Sequence, residues 1–85
     1  MRVLIPSALH SYTGGPRVEA EGKTVGEVLD DLERQFPGIR FRMVDEQGRI
    51  RRHIRLFYER EMIFDLGTPL PAAGELLIVQ ALSGG

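Results

Sequence analysis

The side chains that most often perform catalysis are scattered along this 85-residue chain rather than grouped. His10 and His53 stand far apart, and neither has a second ligand at the spacing that zinc sites use. The pair Gly14-Gly15 lacks the lysine and the following helix of a phosphate-binding loop. Asp30-Asp31 falls inside a helical pattern, where adjacent acidic residues usually form a solvated face. We therefore predict no catalytic group and no metal site in this chain.

One chemical group stands out at the end of the chain. The sequence finishes Leu82-Ser83-Gly84-Gly85 after an apolar run. Two terminal glycines arise by chance in roughly 0.5% of chains, given an average glycine usage of about 7%. Residues without side chains make a thin thread that can enter a narrow cleft and carry the α-carboxylate of Gly85 with it. Because a carboxylate is inert until it is activated, this ending indicates a partner enzyme that adenylates Gly85 with ATP.

Composition excludes several classes of protein. A chain of 85 residues has room for one domain. The absence of cysteine excludes disulfides, thiolate zinc sites and a thiol nucleophile. The balance of 42% hydrophobic and 27% charged residues is typical of a globular chain rather than a disordered one. No stretch approaches the ~20 apolar residues of a membrane-spanning helix, and no signal segment is recognisable, so we expect a cytoplasmic protein without membrane contact.

Charge is balanced overall but unevenly distributed. The chain has 11 basic and 12 acidic residues and a net charge of −1. Between positions 40 and 60, seven arginines accompany three acidic residues, which gives this segment a net charge of +4 and the remainder −5. We interpret the segment as a solvated hairpin, with contact to phosphate or to an acidic protein surface as the alternative. Because stacking aromatic residues at nucleic-acid motif spacing are missing, we expect no nucleic-acid partner.

The hydrophobic pattern predicts one main helix. Thr24-Val25-Gly26-Glu27 has the capping-box form, in which the threonine side chain accepts from the third helical N–H and the glutamate reaches back. Apolar residues then recur at i, i+3, i+4, i+7 and i+11, and Pro37-Gly38 ends the pattern. We predict a helix over 24–36. Its apolar stripe consists of Val25, Val28, Leu29, Leu32 and Phe36.

The remaining segments predict a sheet. The first two strands form an antiparallel hairpin around a glycine-rich turn, and the last is a continuous apolar run typical of a central strand contacted on both faces. Residues 39–52 fit either an alternating strand or a short helical turn. The order ββαβ(β)β predicts an α+β fold, with one main helix on a mixed sheet of four to five strands and the last strand beside the first. The predicted strands are 2–6, 17–21, 53–58, 62–64 and 76–79.

These features resemble the ubiquitin-like sulfur carriers of the MoaD/ThiS family, which have a β-grasp fold. The opening Ile5-Pro6-Ser7-Ala8-Leu9, followed by Thr13-Gly14-Gly15, is most similar to the CysO-like branch that serves cysteine synthesis. The resemblance covers almost the full chain. It rests on the N-terminal strand with Thr13-Gly14-Gly15, the helix start at 23–32, the approach Leu66…Thr68…Leu70…Gly74-Glu75 to the last strand, and Gly84-Gly85.

The resemblance implies a β-grasp domain over 1–81 and a flexible diglycine tail over 82–85. An adenylating enzyme of the ubiquitin-activating type would activate the Gly85 carboxylate with ATP, and a sulfur donor would convert it to a thiocarboxylate. A biosynthetic enzyme would then accept the sulfur, with cysteine synthesis the favoured pathway and molybdopterin synthesis the next. The chain itself would be a carrier rather than an enzyme, and it would bind no cofactor of its own.

Recognition by such partners requires an exposed surface. Apolar residues of the last strands are predicted to point away from the helix, and Leu4 is expected beside them. An exposed apolar patch of this kind is typical of a binding surface. Arg55, in the predicted strand 53–58, is expected near this face, where it would pair with acidic groups of a partner. The predicted partner-binding residues are Phe57, Leu77, Val79, Leu82 and Arg55.

Two other functions fit the same sequence. A ubiquitin-like modifier that is joined through Gly85 to lysines of target proteins would have the same ending. A plain ubiquitin-like interaction domain, in which the diglycine is incidental, would also share the fold. Lysine-linked conjugates would identify the modifier, and function that survives deletion of Gly85 would identify the plain domain.

Overall fold

The computed structural model describes residues 1–81, and the predicted tail at 82–85 lies outside the described residues. The described part contains one mixed sheet, one main helix and several shorter helical segments. In chain order, the elements are β1 (Arg2–Leu4), a 3₁₀ turn (Ser7–Leu9), α1 (His10–Thr13), β2 (Arg17–Glu19), α2 (Val25–Gln35), α3 (Ile39–Met43), β3 (Ile54–Tyr58), β4 (Glu61–Ile63) and β5 (Glu75–Gln80).

The five strands lie in the order β2-β1-β5-β3-β4. Strand β5 runs parallel to β1 and antiparallel to β3, so the prediction that the last strand lies beside the first is confirmed. Strands β1 and β2 pair antiparallel, as predicted, but both are shorter than expected because Pro6 and the 3₁₀ turn end the first of them. Strand β4 begins one residue before the predicted 62–64, because the turn that precedes it contains only Glu59 and Arg60.

Strand β5 corrects one prediction. Leu76 and Ile78 are fully buried, but Leu77 is 37% exposed and Val79 is only half-buried. The apolar run is therefore covered on one face, and the predicted contact on both faces is wrong. The helix layer lies on one side of the sheet, so the apolar residues of the opposite face meet solvent.

Helix α2 begins where the capping pattern places it. The Thr24 Oγ1 accepts from the N–H of Glu27 at 3.2 Å. The Glu27 carboxylate accepts from the N–H of Lys23 at 2.8 Å, one residue before the N–H that the capping-box pattern predicts. The helix ends at Gln35, and its buried stripe contains Val28 and the other predicted aliphatic residues.

The segment before β5 supports the start of α2. The N–H groups of Val25 and Gly26 donate to the carbonyl oxygens of Thr68 and Leu66, at 3.0 and 2.8 Å. The first N–H groups of a helix have no partner within the helix, so these bonds satisfy donors that would otherwise need water. The 66–70 segment therefore fixes the position of α2 relative to the strands that follow it.

For residues 39–52, the helical alternative is correct at the start of the segment. Helix α3 follows α2 after a short turn, and its Ile39 and Met43 are fully buried. The Glu33 carboxylate accepts from the N–H of Gly38 and from that of Arg40, each at 2.9 Å. These two backbone hydrogen bonds lower the pKa of Glu33. A side chain of α2 thus supplies the cap that the start of α3 requires.

Between β1 and β2 the sequence pattern predicts only a turn, whereas the structure has the 3₁₀ turn and α1 there. Leu9 is buried in this segment, and the Nε2 of His10 lies 2.8 Å from the carbonyl oxygen of Ile5. Gly14 ends α1 in the left-handed conformation. The short helices were missed because one buried leucine in seven residues shows no helical period.

The core lies between α2 and one face of the sheet. Among the described residues no polar or charged residue is buried, and no helix is long and apolar enough to cross a membrane. The core residues are Val3, Ile5, Leu9, Ala20, Val25, Val28, Leu29, Leu32, Ile39, Met43, Val44, Ile54, Leu56, Ile63, Leu70, Leu76 and Ile78.

Candidate partner-binding surface

The face of the sheet opposite α2 is built by the alternation of side chains along β3 and β5. Successive residues of a strand point to opposite faces of its sheet. Burial of Leu56, Leu76 and Ile78 against α2 therefore turns Phe57 and Leu77 toward solvent. Arg55 and Val79 lie on the same outward face, two residues further along their strands. The structure thus brings together four of the five predicted partner-binding residues.

Strand register places an apolar line across this face. Leu77 lies opposite Leu4 of β1 and opposite Phe57 of β3. Phe57 in turn lies opposite Met62 of β4. We call these four residues the apolar row. Met62 is 41% exposed and Leu77 is 37% exposed, while Leu4 and Phe57 are half-buried.

The apolar row has a charged margin on the side of the β3–β4 turn. Phe57 and Leu77 line a shallow depression of about 460 Å³ together with Glu59, Arg60 and Glu75. The Nη1 of Arg2 lies 3.6 Å from the Oε2 of Glu75 on the neighbouring strand. An apolar centre with a polar margin is the usual anatomy of a protein–protein interface.

The β3–β4 turn is held in a conformation that L-residues rarely adopt. Glu59 has a φ of +48° and Arg60 a φ of +79°. Two-residue hairpins of this type favour asparagine and glycine, because both central residues need a positive φ. The Glu59 carboxylate accepts from the N–H of Glu75 at 3.2 Å, and the Tyr58 hydroxyl donates to the carbonyl of Ala73. These bonds tie the turn to the chain that enters β5.

Arg55 and Val79 extend the surface toward the other end of β5. The two residues lie opposite each other in the β3–β5 ladder. The guanidinium of Arg55 donates to the carbonyl oxygens of Arg52 and Ile54, the second at 3.0 Å. Arg55 therefore lies near the apolar row, as predicted, but its side chain is turned toward the segment before β3.

The chain leaves the sheet at a defined point. Strand β5 ends at Gln80, and the N–H of Ala81 donates to the carbonyl oxygen of His53 at 2.7 Å. This bond fixes the last described residue beside the start of β3. The predicted roles of Leu82, Gly84 and Gly85 fall outside the described residues and stay predictions.

Asp30 and Asp31, the two adjacent acidic residues of α2, bind other groups of the chain. The Asp31 carboxylate accepts from the side chain of Arg34 and from the N–H of Glu21, and these bonds lower its pKa. The Oδ1 of Asp30 lies 2.9 Å from the Nε of Arg40. Within residues 1–81, no group of three or more histidine and acidic side chains is placed to hold a metal ion.

Met62 is the member of this surface that sequence reasoning missed. Its segment is too short to show a period, so the side that Met62 faces cannot be read locally. The signal lies in the hairpin: a two-residue turn at Glu59-Arg60 places Met62 opposite Phe57. Recognition of that turn would have identified the residue.

Comparison with known proteins gives one family and a consistent set of relatives. The model of the ThiS family matches residues 3–85. The sulfur carrier protein CysO of Mycobacterium tuberculosis and that of Mycobacterium bovis are each 33% identical to the chain over 89 aligned positions, which cover 98% of the chain and 96% of the relative.

Two solved structures have the same fold. A chain of the Amycolatopsis orientalis BexX/CysO complex superposes with a TM-score of 0.90 at 34% identity, covering 99% of this chain and 98% of that one. SAMP1 from Haloferax volcanii, a small archaeal modifier protein, superposes with a TM-score of 0.78 at 30% identity. The superposition covers 100% of this chain and 98% of SAMP1. The predicted β-grasp fold is confirmed.

Proposed function

The chain belongs to the ThiS family, and on this premise we propose that it is a sulfur carrier that takes up sulfur at the carboxylate of Gly85. The observation that carries the proposal is the extent of the family match, which runs from residue 3 to residue 85 and so includes the diglycine. The curated relatives that cover nearly the whole chain bear the name sulfur carrier protein. The resemblance to this family in the sequence analysis is thereby confirmed.

The proposed chemistry takes place at one carboxylate. The Gly85 carboxylate attacks the α-phosphorus of ATP on a partner enzyme, which forms an acyl-adenylate and releases pyrophosphate. The terminal sulfur of a persulfide then attacks the acyl carbon and displaces AMP. A thiol of the donor protein cleaves the resulting sulfur–sulfur bond, which leaves a thiocarboxylate on Gly85 and a disulfide on the donor. An acceptor enzyme finally uses the thiocarboxylate sulfur as a nucleophile.

The chain contributes recognition and reach to this cycle, and its partners contribute the catalytic groups and the ATP site. We assign the apolar row to the adenylating enzyme, because the row lies on the open face of the same strand that leads to the tail. Ala81 is held beside the start of β3, and a chain of four residues can span at most about 14 Å. That span suits a cleft whose mouth docks against the sheet.

Two finer assignments belong to the same proposal. We place the sulfur acceptor in cysteine synthesis, with molybdopterin synthesis second, because the curated relatives are CysO proteins and the opening segment resembles that branch. We place the cycle in the cytoplasm, where an ATP-dependent adenylating enzyme would find its nucleotide. The Amycolatopsis structure, in which CysO is in complex with BexX, shows that a protein similar to this chain forms a complex.

Intact-mass spectrometry tests the proposal directly. The chain is incubated with its adenylating partner, ATP and a persulfide donor, and the expected product is heavier by one oxygen-to-sulfur exchange. The matched control is the same chain without Gly85, which should gain no mass. Absence of the exchange in the unaltered chain, with an active partner, would refute the carrier function.

A protein modifier joined through Gly85 is the second candidate, and the likeness to a small archaeal modifier protein favours it. The last basic residue of the chain is Arg60, so trypsin would leave a long remnant on any conjugated lysine. The variant Ser83→Arg would shorten this remnant to two glycines. Diglycine-modified lysines in cells that express this variant, and their loss when Gly85 is deleted, would establish conjugation.

A further inference from the structure

The arginine-rich segment builds a second surface that the proposed sulfur chemistry leaves unused. An open cleft of about 560 Å³ lies between two segments of the chain. One is the loop between α3 and β3, and the other is the segment that follows β4. Met62, a member of the apolar row, also lines this cleft, and so does Arg55, so the two surfaces meet at the β3–β4 edge of the sheet. We call this depression the arginine cleft because four arginines line it: Arg49, Arg51, Arg52 and Arg55.

The positive charge of the cleft is only partly neutralised within the described chain, because one acidic residue, Asp65, lines the cleft together with the four arginines. Arg49 has a carboxylate within 4 Å, since its Nε lies 3.7 Å from the Oδ2 of Asp45. Arg51 stacks on the Phe41 ring at 4.5 Å from the centroid, and its Nε donates to the Phe41 carbonyl at 2.7 Å. Among residues 1–81, Arg51, Arg52 and Arg55 have no carboxylate partner. Contacts to carbonyl oxygens orient such side chains without cancelling their charge.

The floor of the cleft is apolar. Ile54 and Ile63 are buried beneath it, and Ile50 and Leu66 are half-buried at its sides. Phe64 stands on the rim with 81% of its surface exposed. A large exposed aromatic residue beside an apolar floor is typical of a place where a side chain of another molecule is buried.

The cleft also borders a free strand edge. Among the strands of residues 1–81, β4 is the last on its side of the sheet and pairs only with β3. Within the described residues, the outward backbone groups of Glu61–Ile63 have no backbone partner. Such an edge can pair with an extended polypeptide, whose alternate side chains then enter neighbouring pockets.

We propose that the arginine cleft binds an extended acidic segment of a partner protein, which pairs with the edge of β4. Carboxylates of the segment meet the arginines, and an apolar side chain between them enters the floor beside Phe64. A polypeptide fits better than a nucleic acid, because the floor is apolar and the strand edge offers backbone hydrogen bonds.

Fluorescence anisotropy with a defined probe tests the proposal on the full chain. The probe is a short fluorescein-labelled peptide that alternates glutamate with leucine. We expect it to bind and to lose at least about tenfold in affinity when the cleft is reversed in charge by the double variant R49E/R52E. The matched control K23E/R42E reverses two exposed basic residues that do not line the cleft, and it should change the affinity by less than about twofold.

Three further measurements separate the outcomes. A peptide that alternates glutamate with serine should bind more weakly than the leucine peptide, because it offers nothing to the apolar floor. In the unaltered chain, the leucine peptide should shift the backbone NMR signals of Ile50, Phe64 and Leu66, a result that does not depend on the folding of any variant. Three results would each overturn the proposal. They are failure of the leucine peptide to bind, an equal loss of affinity in both double variants, and binding of an oligothymidylate more tightly than the leucine peptide.

Discussion

Phe57 and Leu77 lie directly opposite each other in the antiparallel ladder between β3 and β5, on the face that α2 does not cover. Their neighbours Leu56, Leu76 and Ile78 are buried on the other face. The pair therefore adds little to the core, while it forms the centre of the apolar row. An apolar pair that a fold leaves in solvent is available to a partner.

The substitution Leu77→Arg should weaken binding of the adenylating partner by about thirtyfold or more. This is a loss of at least about 2 kcal/mol of binding free energy, as expected for a residue at the centre of an interface. The free energy of unfolding should change by less than about 1 kcal/mol, because the side chain is exposed. Titration calorimetry with the partner and urea denaturation measure the two effects. Phe41→Arg, at an exposed apolar position in helix α3, is the control, and an equal loss in both variants would contradict the assignment.

Relief of the β3–β4 turn should stabilise the chain. Arg60 has a φ of +79°, a conformation that costs an L-residue about 1–2 kcal/mol and glycine very little. Glycine also gives the unfolded chain more conformational freedom, which offsets part of this gain. Arg60→Gly should therefore raise the free energy of unfolding by about 0.5–1 kcal/mol. Arg42→Gly, within helix α3, should instead lower it by about 1 kcal/mol. Urea denaturation measures the free energy of unfolding of both variants. A change in the same direction in the two variants would argue against strain at Arg60.

Substitution of Gly74 should be strongly destabilising for two reasons that can be separated. Its φ is +103°, and an added Cβ would lie 2.2 Å from the hydroxyl oxygen of Tyr58. Gly74→Ala should lose more than about 2 kcal/mol of unfolding free energy. Gly14→Ala has a similar φ of +79° but meets no atom within 4 Å, so it should lose only about 1 kcal/mol. Thermal or urea unfolding measures the stability of both variants. An equal loss of stability in the two would show that the Tyr58 hydroxyl does not obstruct a side chain at position 74.

The stability of the fold should decrease in acid. Hydrogen bonds lower the pKa of Asp31, Glu33 and Asp45 in the folded chain, so the unfolded chain binds more protons as these groups titrate. Their stabilisation is complete above the unfolded pKa values, which lie at about 4, and it is lost as the pH falls below them through the folded pKa of each group. Glu33→Gln should reduce this dependence in urea titrations at a series of pH values.

Much of the fold could be predicted because its signals are local. The Thr24 cap, the apolar period of α2 and the stop at Pro37-Gly38 lie within one stretch of sequence, and all three agree with the structure. Residues 39–43 could not be assigned, because their alternation fits a strand as well as a helix. The helix forms there because Glu33, a residue of another element, accepts from the N–H groups of Gly38 and Arg40.

The family, the order of the elements and the diglycine ending can be read from the sequence, since each depends on residues that are close together in the chain. The row of Leu4, Leu77 and Phe57 cannot be read in this way, because it depends on the register of β1, β5 and β3, which are distant in sequence. Met62 joins the row through the two-residue β3–β4 hairpin. The structure likewise decided that β5 is covered on a single face. It also gathered Arg49, Arg51, Arg52 and Arg55 around an apolar floor beside β4, where a charge count along the chain shows only an excess of arginine.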